Sequence, residues 1–197
     1  MMSRNPVIER VKGGLIVSCQ AYPGEPLRHP ETMAQMAMAA VEGGAVGIRC
    51  QGLADIAAIK GQVDVPVIGI WKDGSQGVYI TPTLRHARCC AAAGADIVAL
   101  DATGRPRPDG RTYAQTVQAL HDEGVTVMAD CGSFDDARRA VDAGSDIIST
   151  TLSGYTGRTG EDRRPPISSC SSTWCRRSPI RLCCARAASI RPNSCMT

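Results

Sequence analysis

Aromatic residues are scarce in this 197-residue chain: Phe, Trp and Tyr together make up 4% of it, and there is a single Phe. Since 43% of the residues are hydrophobic, the core must be aliphatic, built from Ala, Val, Ile and Leu. That composition suits parallel strands buried between helices. Long apolar runs are missing too. The longest are strand-length, which excludes a membrane-spanning helix. No charged stretch leads into an apolar segment near the start, so no secretory leader is expected. The ten cysteines are therefore read as reduced thiols of a cytoplasmic protein, because a chain with its own aliphatic core needs no disulfide staples. Acidic residues are absent after Asp162, whereas Arg163, Arg164, Arg176, Arg177, Arg181, Arg186 and Arg191 follow. The small net charge of +3 thus conceals two chemically different stretches.

What is present is a repeat. An Ala-rich helical segment, a glycine stop and a short apolar strand recur in Ala39–Arg49, Ala91–Asp101 and Ala140–Thr150. Glycine ends each helix because it reaches the left-handed conformation without a Cβ clash. The spacing predicts strands at Leu15–Cys19, Val46–Arg49, Val67–Ile70, Ile97–Asp101, Val125–Asp130 and Ile147–Thr151. It predicts helices at Pro30–Glu42, Leu53–Lys60, Leu84–Ala93, Tyr113–Asp122 and Phe134–Ala143, with Ser133 as an N-cap.

Strict strand–helix alternation implies right-handed crossovers and an α/β fold with a parallel sheet. A barrel is preferred to an open sheet on one feature. Polar residues recur where strands end: Gln20, Arg49, Lys72, Asp101, Asp130, Thr150 and Thr151. A (β/α)8 TIM barrel gathers all such positions around one mouth, where its active sites lie. An open sheet gathers those near its switch point, and the G-x-G-x-x-G fingerprint is absent after the first strand. About six βα units are legible against the eight of a closed barrel.

Lys72 follows the apolar strand Pro66–Trp71. A lysine among apolar walls can serve as a base or as a Schiff-base nucleophile, whereas a lone one at a strand end is ordinarily just solvated. The Arg and two Asp at equivalent places on neighbouring strands favour chemistry. Arg49 suits a phosphate or carboxylate, or simply a carboxylate partner within the protein. Asp101 and Asp130 suit orienting Lys72 or binding sugar hydroxyls, and Asp101 is equally suited to cap the loop it precedes. No metal-ligand cluster is expected.

Seven phrases then appear in series: Ile16–Ala21, Pro23–Leu27, Val46–Arg49, Pro66–Lys72, Tyr79–Thr83, Ala99–Thr103 and Thr150–Thr156. Together they resemble the N-acetylmannosamine-6-phosphate 2-epimerase family over roughly residues 7 to 160. The resemblance implies a cofactor-independent barrel isomerase of amino-sugar and sialic-acid breakdown. It would interconvert N-acetylmannosamine 6-phosphate and N-acetylglucosamine 6-phosphate. Inversion at C2 needs one group to remove a proton and another to return it on the opposite face, with cationic groups stabilising the enediolate. By resemblance Lys72 is one proton-transfer residue, Arg49 and Gln20 contact the substrate, Asp130 supports Lys72 or the sugar, and Thr151 lies among the supporting residues. The expected partner is a phosphorylated amino sugar, with no nucleic acid and no membrane; a homodimer is one assembly left open. The family's second acid/base is a glutamate in an E-G-R segment at the seventh strand, and this sequence has no such segment. The alternatives kept are a non-catalytic remnant and another phosphate-binding barrel, such as an aldolase using Lys72 as a Schiff base.

Residues 1–160 are accordingly expected to form a partial barrel, and 161–197 an Arg/Ser/Cys-rich tail without order. From Ile167 the helix–strand phrase stops, and half the cysteines fall between Cys170 and Cys195. The tail holds no histidine and no clean pair of C-x-x-C knuckles, which argues against zinc. With suitable synonymous codons, a shift of frame converts Ile167–Cys175 into D-L-K-L-L-I-D-L-V, an amphipathic helix. Continued, the shifted frame yields an E-G-R segment. The tail therefore reads as the product of one lost base near Arg163–Pro166.

Overall fold

The computed structural model describes residues 5–153 and the pair Leu182–Cys183. Helix α1 (Pro6–Val11) leads into β1 (Leu15–Cys19), and strict alternation follows: α2 (Pro30–Glu42), β2 (Ala45–Gln51), α3 (Leu53–Lys60), β3 (Val67–Ile70), α4 (Leu84–Ala92), β4 (Ile97–Asp101), α5 (Tyr113–Asp122), β5 (Thr126–Asp130), α6 (Phe134–Asp142) and β6 (Ile147–Ser149). The two-residue β7 (Leu182–Cys183) lies beside β6. All pairings are parallel, in the order β1-β2-β3-β4-β5-β6-β7. Six βα-type strands in a curled parallel sheet form part of a TIM barrel. Apart from Leu182–Cys183, the expected disorder and altered frame of the tail fall on residues outside those described.

Local signals explain the elements. Thr83, Thr112 and Ser133 each accept a backbone N–H at the start of α4, α5 and α6, and Thr112 forms a full capping box with Gln115. Beyond α4 and α6, Gly94 and Gly144 take φ of +104° and +88°, as the repeat required. The aspartate two residues after each of these glycines has a shared structural task. Asp96 accepts from the Val67 backbone N–H and from Lys60. Asp146 accepts from the Val127 N–H and lies 2.9 Å from His121 Nε2. Each carboxylate thus pins the start of the preceding strand to the helix before its own.

Side chains of each strand alternate between two faces. One face packs on the helices: Cys19, Ile48, Cys50, Val67, Val98, Leu100 and Val127 join Met33, Ile56, Ile59 and Leu120. The other face turns inward, where Ile16, Ile68, Ile70, Ile97, Ala99, Met128 and Ile147 form a second cluster. The inner cluster rests on α1, through Val7, Ile8 and Val11, while Asn5 donates to Thr126 on β5 at 2.7 Å. Gly47 makes room for this plug, since a Cβ there would sit 3.1 Å from Val11.

Differences from expectation are local. β2 is longer than predicted at both ends, β5 begins at Thr126 rather than Val125, and β6 ends at Ser149, so Thr150 and Thr151 lie in the following turn. Helices α4 and α6 stop one residue earlier, because Ala93 and Ala143 serve as C-caps. Helix α1 was not predicted, being too short to show helical periodicity.

Candidate active site

Inner-face parity settles where the polar strand-end residues stand. Gln20 continues the Ile16, Ser18 series and Arg49 the Gly47 series. Lys72 continues Ile68, Ile70; Asp101 follows Ile97, Ala99; Asp130 follows Thr126, Met128; and Thr151 follows Ile147, Ser149. Arg49, Asp101 and Asp130 therefore belong to the inner face at the ends of β2, β4 and β5, and Gln20, Lys72 and Thr151 lie one or two residues past the ends of β1, β3 and β6. In a (β/α) barrel that end is the mouth.

At its centre is a buried ion pair. Arg49 donates from Nη1 to Asp130 Oδ1 at 3.1 Å and from Nη2 to Oδ2 at 2.5 Å; Arg49 is 3% exposed and Asp130 0%. These residues lie on β2 and β5. In a flat sheet those strands would be separated by roughly 14 Å, three strand spacings, beyond the combined reach of the two side chains. The curl of the sheet creates the pair, and the pair spans its concave side. Both Asp130 oxygens are engaged by Arg49, which also reaches Met128 Sδ at 3.6 Å.

Lys72 stands two residues past β3. Its Nζ lies 4.6 Å above the Tyr22 ring and donates to the Tyr22 hydroxyl at 3.3 Å. The backbone around it is fixed on both sides. Lys72 pairs in an antiparallel bridge with Ile80, and Thr81 both donates from its N–H to the Trp71 carbonyl and accepts at Oγ1 from the Trp71 N–H. The Trp71 ring packs on His86 with centroids 4.5 Å apart. His86 in turn contacts Thr83 Oγ1 at 2.6 Å and Asp73 Oδ2 at 3.1 Å.

The remaining predicted residues are held locally. Asp101 accepts at Oδ1 from the Thr103 N–H and hydroxyl, at 2.9 and 2.6 Å, and at Oδ2 from Arg105 at 2.6 Å; it caps its own loop. Gln20 donates to Ser18 Oγ at 2.6 Å, and Thr151 shares a hydroxyl contact with Ser149. Arg49 and Asp130 are thus brought into contact, while Lys72 meets Tyr22 rather than either aspartate. Sequence reasoning missed Tyr22, Thr81 and Arg107. The Arg-x-Arg phrase at 105–107, directly after a strand end, was the available signal for the last of these. Among the described residues no group of three or more His, Cys, Asp or Glu could hold a metal ion, and no helix is long and apolar enough to cross a membrane.

The thiols near the strands are buried in the clusters that pack on the helices. Burial pushes Cys19 up to about 11 and Cys90 up to about 12, and it also raises Cys50 and Cys131, the latter with help from Asp130. Such thiols are poor nucleophiles.

A curled parallel sheet with a cationic and carboxylate cluster at its C-terminal mouth defines a (β/α)-barrel enzyme site. A family model described as "Putative N-acetylmannosamine-6-phosphate epimerase" matches residues 33–166, and the chain belongs to that family. A relative from Cutibacterium acnes, named a putative N-acetylmannosamine-6-phosphate 2-epimerase, is 65% identical over 152 residues, which is 77% of this chain and 66% of the relative. One of the same name from Synechococcus elongatus is 47% identical over 169 residues, 84% of this chain and 72% of the relative. The solved structure of the N-acetylmannosamine-6-phosphate 2-epimerase from Clostridium perfringens superposes with a TM-score of 0.83 at 36% identity, covering 93% of this chain and 81% of that one. The chain thus spans about two thirds of the length of the first of these relatives.

Proposed function

We propose that this site is built to interconvert N-acetylmannosamine 6-phosphate and N-acetylglucosamine 6-phosphate through removal and return of the C2 proton. The observation that supports the proposal is the buried Arg49–Asp130 pair at the ends of β2 and β5, with Lys72 just past the end of β3 between them. In the open-chain sugar a base takes the C2 proton, and the electron pair moves onto the carbonyl oxygen at C1. An acid then returns a proton from the other face. Lys72 acts at C2, and Arg49, already desolvated and oriented by Asp130, faces the developing oxyanion. Gln20 and Thr151 offer neutral donors and acceptors for sugar hydroxyls. Asp101 holds the loop after β4 in place. The ligand is a phosphorylated amino sugar, the setting cytoplasmic, and the assembly to be tested by light scattering a homodimer.

The second proton-transfer group is the weak point. The glutamate expected from the family resemblance belongs to an E-G-R segment absent from this sequence. The glutamate described after Lys72, Glu123, sits at the end of α5 and pairs with Arg88 on the protein's outside. We therefore expect turnover by the chain as written to fall short of a frame-restored version by on the order of 10²–10⁴-fold, the usual contribution of a general acid or base. Proton NMR of N-acetylmannosamine 6-phosphate in deuterated solvent, run with this chain and with a version restored by one base near Pro166, tests both statements. Absence of C2 exchange in the restored protein sinks the epimerase assignment, and equal turnover by the two sinks the impairment. Borohydride in the presence of substrate should leave Lys72 unmodified; a trapped adduct would indicate the aldolase alternative.

A further inference from the structure

Arg107 sits in the loop after β4 and is 7% exposed, although no carboxylate receives its guanidinium. Instead Nη1 donates to the Asp101 carbonyl at 2.8 Å and Nη2 to the Thr81 carbonyl at 2.9 Å. Nε finds no protein acceptor. Burial depresses the pKa of this arginine, as expected of a cation removed from water. A guanidinium kept in so costly a place invites the question of what it holds.

It holds two strand ends together. The Asp101 carbonyl belongs to the last residue of β4. Thr81 is the non-glycine with positive φ, +46°, among the described residues, a strained conformation for an L-residue that persists only when its surroundings impose it. Through that twist Thr81 presents its N–H and Oγ1 to Trp71, while its carbonyl faces Arg107. The preceding carbonyl, on Ile80, accepts from the Asp101 N–H. Thus a single chain of contacts runs from Arg107 through Thr81 to Trp71, the residue before Lys72.

We propose that Arg107 is a positioning residue: acting through Thr81, it fixes the backbone at Trp71–Lys72 against the end of β4 and so places the Lys72 ammonium. The inference rests on the epimerase assignment for its kinetic arm alone. A second arm is independent of activity, because the chain has three lysines, Lys12, Lys60 and Lys72. Reductive methylation with ¹³C-formaldehyde gives each lysine a resolvable dimethyl resonance, and the Lys72 signal is assigned from Lys72→Arg. Lying over the Tyr22 ring, it should be displaced by the ring current from that of Lys12, which pairs with Glu9 at the surface.

In Arg107→Met the Lys72 signal should move toward the Lys12 position while the Lys60 signal stays. In the frame-restored protein kcat should fall by about 10–100-fold, as expected for misplacement of a reacting group by about an ångström, with KM changed less than threefold. Thr81→Gly relieves the strain, which offsets the loss of the Oγ1 acceptor, so it should fold and still shift the Lys72 signal, whereas Thr81→Ser should keep the native signal. If Arg107→Met fails to fold, Arg107→Lys, which keeps the charge but cannot hold both carbonyls, takes its place and should also move the Lys72 signal. An unmoved Lys72 resonance in folded Arg107→Met or Arg107→Lys protein overturns the proposal, as does a loss confined to KM. A missing epimerase activity in the restored parent, with the resonance shifts as described, would refute the functional assignment and leave the positioning role standing.

Discussion

Replacing Asp130 with Leu strands the Arg49 guanidinium inside the curl of the sheet. Both partners are almost fully buried and joined by two hydrogen bonds, and loss of one member of such a pair costs about 3–5 kcal/mol because the remaining charge has no water to fall back on. Arg49→Met leaves the carboxylate uncompensated and should cost a similar amount. For a domain of this size each kcal/mol is worth about 2–4 °C in Tm, so either single variant should melt about 6–20 °C below the parent. The double variant, Arg49→Met with Asp130→Leu, replaces the pair by apolar groups of similar bulk and should recover most of that loss. Urea unfolding followed by circular dichroism, analysed as a double-mutant cycle, should then give a coupling of at least about 3 kcal/mol. The recovered fold should not recover turnover, because Arg49 is assigned to the oxyanion as well as to Asp130. Single variants costing under about 1 kcal/mol, or a coupling near zero, would refute the view that this pair spans and fixes the curl. A stable double variant with normal turnover would remove Arg49 from the chemistry.

Lys72→Met in the frame-restored protein should abolish C2 proton exchange while substrate affinity falls less, since phosphate and hydroxyl contacts lie elsewhere; near-normal exchange would return Lys72 to an ordinary solvated lysine. Alkylation at pH 8 followed by peptide mapping should modify Cys89, which is partly exposed, well before Cys19, Cys50, Cys90 and Cys131. The same burial has a consequence for stability. With an ordinary thiol value of 9.0 in the unfolded chain and raised values of about 11 and 12 at Cys19 and Cys90, these groups leave stability intact below about pH 9 and erode it as pH rises toward 11–12, because the unfolded chain then gives up its thiol protons first. A urea midpoint that stays flat from pH 8.5 to 10.5 would contradict it.

The alternation, the strand cores and the family were all legible along the chain. Segments such as Val67–Ile70 and Ile97–Leu100 carry no polar side chain, and helix ends are marked by Thr83, Thr112, Ser133 and the glycines of the repeat; these signals act within a few residues and need no tertiary context. The inner-face position of Arg49, Asp101 and Asp130 was also legible, since side-chain parity along a strand is a local property. Their partners were not. Arg49 meets Asp130 across 81 positions of sequence because the sheet curls, and curl is the summed twist of many strand pairs, carried by no single residue. Lys72 meets Tyr22 because the loop after β1 comes beside the segment after β3. Asp101 proved to be a loop cap held by Thr103 and Arg105, one of the two roles its position allowed, and only the path of the chain after β4 chose between them. Arg107, an arginine between two prolines in a polar loop, gave no sign of burial in the sequence. Its place depends on two carbonyls 26 and 6 residues away, and long-range backbone contacts of that kind exist only once the fold has closed.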